Sequence, residues 1–137
     1  MEPIVIDIII LEPIAKVWDY FITSKHILKW NIINSQWNCV KAETDFKVGG
    51  HFNYRMNMKN KGFGFDYNGT FEEILPFQKI KYQLDDGRKV SVEFEKVDDN
   101  TTKIIQIYEP EAKTSREMQR EGWYSILNNF HKYVEQN

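Results

Sequence analysis

A single cysteine, Cys39, three histidines and seven glycines are spread through 137 residues, and each scarcity closes off a class of chemistry. One thiol cannot form an internal disulfide. His26, His51 and His131 are scattered and share no short spacing with Cys39, so no tetrahedral metal-ligand set is visible and no metal is expected. The adjacent glycines, Gly49 and Gly50, precede a strand-like alternation rather than a helix. No helix amino terminus is there to hold a phosphate, and no cofactor is expected. The apolar run Ile8 to Leu11 is far short of the roughly 20 residues a membrane-spanning helix needs. The start "MEPIVIDIIILEPIAKVW" lacks the basic segment and small-residue cleavage site of a signal peptide, so a cytoplasmic location is expected. Formal net charge is -2 with both signs interspersed, which gives no basic stripe to track a phosphate backbone and argues against nucleic acid as a partner.

Aromatic residues, by contrast, make up 15% of the chain: four tryptophans, seven tyrosines and nine phenylalanines. Side chains of that size must pack on one another or around something else. The length suits one domain, expected over residues 1–137, since no linker, repeat or compositional boundary interrupts it.

"IVIDIIIL" is β-branched at nearly every position and predicts a first strand over Ile4 to Leu11, stopped by Pro13. Ile14, Val17, Trp18, Phe21 and Ile22 then recur with helical spacing, and Ser24 is the expected cap of a second short helix through Trp30. From Asp45 to Glu109 the period changes to two. "VGGHFNYRMNMK", "FGFDYNGTFEEIL", "KIKYQL", "KVSVEFEKV" and "TTKIIQIYEP" are separated by turn signals, the pattern of an antiparallel meander. With the first strand this predicts six strands. The last segment predicts the longest helix: Thr114 and Glu117 suit a capping box, and Trp123, Ile126, Leu127, Phe130 and Val134 form one apolar stripe.

Strand, two short helices, meander and long terminal helix resemble the α+β helix-grip fold, in which a curved six-stranded antiparallel sheet wraps around the final helix. The stretches "EPIAKVWDYFITSKHILKW", "VGGHFNYRM", "GFDYNGTFEEILPFQKIKYQLDDGR" and "MQREGWYSILNNFHKYVE" are similar to the activator-of-heat-shock-chaperone-ATPase-like (Aha-like) family. This family belongs to the START-like, or SRPBCC, superfamily, which also holds birch-pollen-allergen-like proteins and polyketide cyclases. The resemblance covers nearly the whole chain and implies a deep apolar cavity between sheet and helix. Such a fold carries binding, catalysis and chaperone work alike, so the residues must choose.

The expected cavity wall is Trp18 and Phe21 on the first helix, Trp30 after the second, Phe52, Tyr54, Met56, Phe65, Tyr67, Phe71, Tyr82, Val92 and Phe94 on the sheet, and Trp123, Leu127 and Phe130 above them. A solid aromatic core is the alternative. The hydroxyls of three inward tyrosines need partners when buried, which suits a pocket with a few polar handles. Gly122, inside the last helix, costs roughly 1 kcal/mol relative to alanine and implies either tight backbone packing or space left for a ligand.

Three readings follow. The first is a non-enzymatic protein that binds a small apolar or amphipathic molecule, such as a lipid, flavonoid or polyketide. The second, implied by the family resemblance, is a co-chaperone that stimulates a heat-shock chaperone ATPase. The third is a cyclase or hydrolase of a hydrophobic substrate using His51, Arg55 or Asp66. Strand alternation opposes the third, because Phe52, Tyr54 and Met56 facing inward forces His51, Asn53 and Arg55 outward unless a bulge at the glycine pair shifts the register.

Overall fold

Alternation in the sequence becomes alternation in burial. The computed structural model describes residues 2–137, and in its first strand, β1 (Ile4–Ile10), the even-numbered isoleucines are buried while Val5 and Ile9 face outward. Two short helices follow, α1 (Ile14–Ile22) and α2 (Ser24–Trp30). The chain then runs through β2 (Trp37–Thr44), β3 (His51–Met58), β4 (Phe63–Leu75), β5 (Lys79–Leu84), β6 (Lys89–Asp98) and β7 (Thr101–Tyr108), and ends in α3 (Arg116–Gln136). The strands form one antiparallel sheet in the order β1-β7-β6-β5-β4-β3-β2. The α+β helix-grip class expected from the sequence is therefore the fold observed. No helix among the described residues is long and apolar enough to cross a membrane.

The sheet has seven strands rather than six. The additional one, β2, lies at an edge, and its register with β3 shifts between Cys39 and Lys41, which leaves Val40 exposed. A bulge puts two residues opposite one and breaks the period-two signature that reveals a strand in sequence. Further irregularities fall between Phe71 and Glu73 on β4 and between Lys96 and Asp98 on β6. Bulges bend the strands that carry them, which helps the sheet curl around α3.

Two cap assignments also change. Thr23, not Ser24, is the N-cap residue of α2, and its hydroxyl bonds Asp19 instead of a helix amide. The cap of α3 is Ser115, whose oxygen accepts from the Met118 amide at 3.2 Å, while Thr114 donates to the Glu111 carboxylate.

Leu127, Phe130 and Val134 press one face of α3 into the core. Its polar side fastens the helix to the free edge of β1. Arg116 donates to the Glu2 carbonyl at 2.6 Å, Arg120 to the Val5 carbonyl at 2.9 Å, and Glu135 accepts from the Leu11 amide at 2.8 Å. These bonds hold α3 alongside that edge, and covering an edge with a helix is one way a sheet is kept from pairing with another strand.

The glycine pair sets the entry to β3. Gly49 has φ +85°, a conformation that L side chains resist, and a Cβ on Gly50 would overlap the Asp45 carbonyl oxygen. The Gly49 amide donates to the Phe71 carbonyl and the Phe71 amide to the Gly50 carbonyl, so the tight turn is tied to β4. The β3–β4 register runs without a shift from His51 to Met58. The glycine pair thus turns the chain without re-aiming the strand.

Candidate functional site

The uninterrupted register of β3 sends Phe52, Tyr54 and Met56 to the concave side of the sheet. Tyr67 on β4 stands directly opposite Tyr54, and Phe71 opposite Tyr82 of β5. Gly69 lies opposite Phe52, where a Cβ would overlap the Gln83 carbonyl oxygen of the neighbouring strand, and the Phe52 ring meets Tyr82 with centroids 5.0 Å apart in an edge-to-face arrangement. The rings do not fill the space beneath α3. A cavity of about 260 Å³ remains between sheet and helix.

Of the aromatic wall expected from the sequence, Phe21, Trp30, Phe52, Tyr54, Met56, Phe65, Tyr67, Phe71, Tyr82 and Trp123 line this cavity. Trp18, Val92, Phe94, Leu127 and Phe130 do not; they are buried in solid packing beside it. Trp18 meets Phe94 at 5.0 Å, and Phe130 meets Trp30 at 4.8 Å, both edge to face. Gly122 lines the cavity, and a Cβ built on it would touch nothing within 4 Å. Of the two explanations for a glycine in this helix, space holds and close backbone packing does not.

Ile22, Ile33, Phe46, Ile80, Met118 and Ile126 complete the apolar wall, and the polar lining comes from Asn31, Arg88, Gln106, Glu111 and Gln119. Sequence reasoning missed these polar residues. Gln106 alternates with Ile104 and Tyr108 on the buried face of β7, and a glutamine at that parity was the available signal. Gln119 is structural: its amide accepts from the Glu111 amide at 2.9 Å and donates to the carbonyls of Glu111 and Thr114, holding the loop before α3.

The tyrosines carry the polar chemistry. Tyr67 and Tyr82 share a hydrogen bond between their hydroxyls at 2.6 Å. Burial pushes both hydroxyls well above the ordinary tyrosine range, and the Arg88 guanidinium pulls in the opposite direction. Tyr54 is raised likewise, chiefly by burial. The Thr44 hydroxyl near it is buried without a hydrogen bond of good geometry. All three phenols therefore stay neutral at physiological pH and act as hydrogen-bonding groups, not as bases.

His51, Arg55 and Asp66 are elsewhere. Arg55 pairs with Asp66 at 3.2 Å, His51 lies 3.3 Å from Asp85, and none of the three lines the cavity. Cys39 is buried, and burial raises its thiol pKa, the opposite of an activated nucleophile. Among the described residues no group of three or more His, Cys, Asp or Glu side chains is placed to hold a metal ion.

A curled antiparallel sheet gripping a terminal helix, with an aromatic cavity between them, defines a helix-grip protein of the START-like class. Residues 12–135 match the family described as activator of Hsp90 ATPase homolog 1-like protein, and the chain belongs to that family. Among solved structures, the chain is similar to an AHSA1-like protein from Aeromonas hydrophila, at 32% identity and TM-score 0.88 over 97% of this chain and 93% of that one. Protein Chr148 from Cytophaga hutchinsonii is similar at 36% identity and TM-score 0.84, over 98% and 93% of the two chains. The Aha1 dimer from Colwellia psychrerythraea shares the fold at 18% identity and TM-score 0.74, over 98% and 97%. No curated protein matches the chain.

Proposed function

We propose that this protein binds a small, mainly apolar molecule in the cavity between its curved sheet and α3. The observation that carries the reading is the open space over Gly122 in a cavity of about 260 Å³ walled by aromatic side chains. Concave, largely apolar pockets with a few polar groups are where small ligands bind. A dry cavity of about 150 Å³ takes up benzene, so the space here suits a body of about two rings or an equivalent short chain. A full diacyl lipid is too large.

NMR titration of the labelled protein with a panel of short-chain lipids, flavonoids and polyketides tests this. The expected result is shifts at Tyr54, Gly122 and Trp123 for at least one compound. Shifts confined to the outer surface of the sheet for the whole panel overturn it.

The family description supports a second reading, stimulation of a heat-shock chaperone ATPase. It is tested by adding the protein to the chaperone and following phosphate release. An unchanged rate, with no complex in a pull-down, removes it. The enzymatic reading has lost its named catalysts, since His51, Arg55 and Asp66 all stand outside the cavity.

A further inference from the structure

The polar groups of the cavity are unequal in what they leave unused. Tyr67 and Tyr82 have two hydroxyl protons and one hydrogen bond between them, at 2.6 Å. Whichever oxygen accepts, its own proton is left without a protein acceptor among the described residues. Arg88 is similar. It has the same parity as the inward Val90 and Val92 on β6, and it lines the cavity. Its Nε and Nη2 both bind Asp86 Oδ2 at 2.9 Å, which leaves Nη1 with no protein partner among the described residues. Gln106 is 8% exposed and lines the same space, and its amide also makes no hydrogen bond to the described residues.

These groups are mostly donors with no protein acceptor: a phenolic O–H, two N–H groups of a guanidinium and the NH₂ of an amide whose carbonyl is also free. Donors that face a cavity and bind no protein group are open to a ligand acceptor, so their convergence on one cavity points to what fills it. Resting on the cavity-binding reading, we propose that the ligand is an amphipathic acid, whose carboxylate accepts from the Tyr67–Tyr82 pair and from Arg88 while its apolar body lies between Phe52, Trp123 and the open face of Gly122.

Charge supports a carboxylate over a neutral oxygen, because Glu111, the acidic residue of the lining, is exposed to screening solvent and already accepts from the Thr114 hydroxyl. Asp86, the partner of Arg88, has a side chain 55% exposed, so solvent screens it, whereas the guanidinium side chain is only 23% exposed. The positive charge therefore acts on the cavity more strongly than its counter-ion does. A guanidinium also matches the planar carboxylate with parallel donors.

The test uses three probes of one skeleton: 2-naphthylacetate, 2-naphthylacetamide and 2-ethylnaphthalene, titrated into the full chain and followed by NMR at Gly122 and Trp123. The acid is expected to bind at least tenfold tighter than the amide and the hydrocarbon. In Arg88→Gln that advantage is expected to fall to less than threefold, while hydrocarbon binding stays within twofold and shows the cavity to be intact. Tyr67→Phe and Tyr82→Phe are each expected to weaken the acid more than the hydrocarbon. Equal affinity of acid and hydrocarbon for the native protein overturns the carboxylate assignment and leaves cavity binding standing. Failure of all three probes to shift Gly122 or Trp123 counts against both.

Discussion

The indole of Trp123 lies flat on the ring of Tyr108, with centroids 3.9 Å apart and planes within 8°. Tyr108 is completely buried on β7, so the stack fixes the start of α3 over the sheet. The same indole meets Tyr67 edge to face at 5.8 Å across the cavity. One side chain thus anchors the helix and walls the site.

Trp123→Ala is therefore expected to destabilise the fold by about 2–4 kcal/mol, near the range for large aromatic truncations. A lower urea midpoint with an unchanged slope is the measurement. A loss under 1 kcal/mol, set against the roughly 0.5–1.5 kcal/mol such a ring pair contributes beyond burial, counts against the anchoring role.

Gly122→Ala separates stability from binding. The new methyl meets nothing within 4 Å, and alanine in a helix interior is favoured by roughly 1 kcal/mol. The variant is expected to unfold at higher urea, yet bind cavity ligands more weakly because the methyl takes up ligand space. Gly122→Leu should abolish binding while remaining folded by circular dichroism. Unchanged affinity in the leucine variant contradicts the proposed site.

Gly50→Ala should be the costliest glycine substitution, because its Cβ would overlap the Asp45 carbonyl oxygen more deeply than a Cβ on Gly64 or Gly69 would overlap the backbone oxygen beside it. A loss of about 3 kcal/mol is expected, at the upper end of ordinary overpacking. At Gly49 the cost is conformational alone, about 1–2 kcal/mol for holding an L residue at positive φ. Comparing the two by urea denaturation checks the ranking.

Alkaline pH should unfold the protein through its tyrosines. Burial pushes Tyr108 up to about 12, and Tyr54, Tyr67 and Tyr82 are also raised. In the unfolded chain they ionise near pH 10, so above that pH the unfolded state binds fewer protons. Stability is then complete below about pH 10 and falls as pH rises toward the folded pKa values, by about 1.4 kcal/mol per pH unit for each such tyrosine. Tyrosinate absorbance should appear in step with unfolding. Ionisation of all seven tyrosines near pH 10 in a folded protein contradicts this.

Breaking the outer pair provides the control. Arg55 and Asp66 have side chains 38% and 43% exposed, and pairs of that kind contribute about 0.2–1 kcal/mol. Arg55→Ala is expected to leave ligand affinity within twofold by NMR titration. A tenfold loss would return this residue to the site.

Much of the fold was legible because burial imposes a period. The isoleucines of β1, the stripe of α1 and the alternation from His51 onward each report a face that must avoid water. Strand β2 was not legible, since the shift between Cys39 and Lys41 erases its period, and an edge strand answers to one neighbour only. The caps at Thr23 and Ser115 were misplaced by one residue, because neighbouring hydroxyls offer the same donor and acceptor until the backbone direction is known.

By itself the sequence determined which residues face inward, that Gly49 and Gly50 turn the chain into β3, and that aromatic rings meet beneath the last helix. Only the tertiary structure decided which rings surround space and which pack solidly: Phe52 and Tyr54 line the cavity, whereas Phe94 and Phe130 fill the core beside it. Periodicity encodes direction along one element, but a cavity depends on how far apart two elements stand. Here that distance is set by the curl of the sheet and by the stack of Trp123 on Tyr108. The same holds for Arg88, which no sequence pattern singles out, and whose inward parity and free Nη1 emerge once the hairpin lies beside the tyrosine pair.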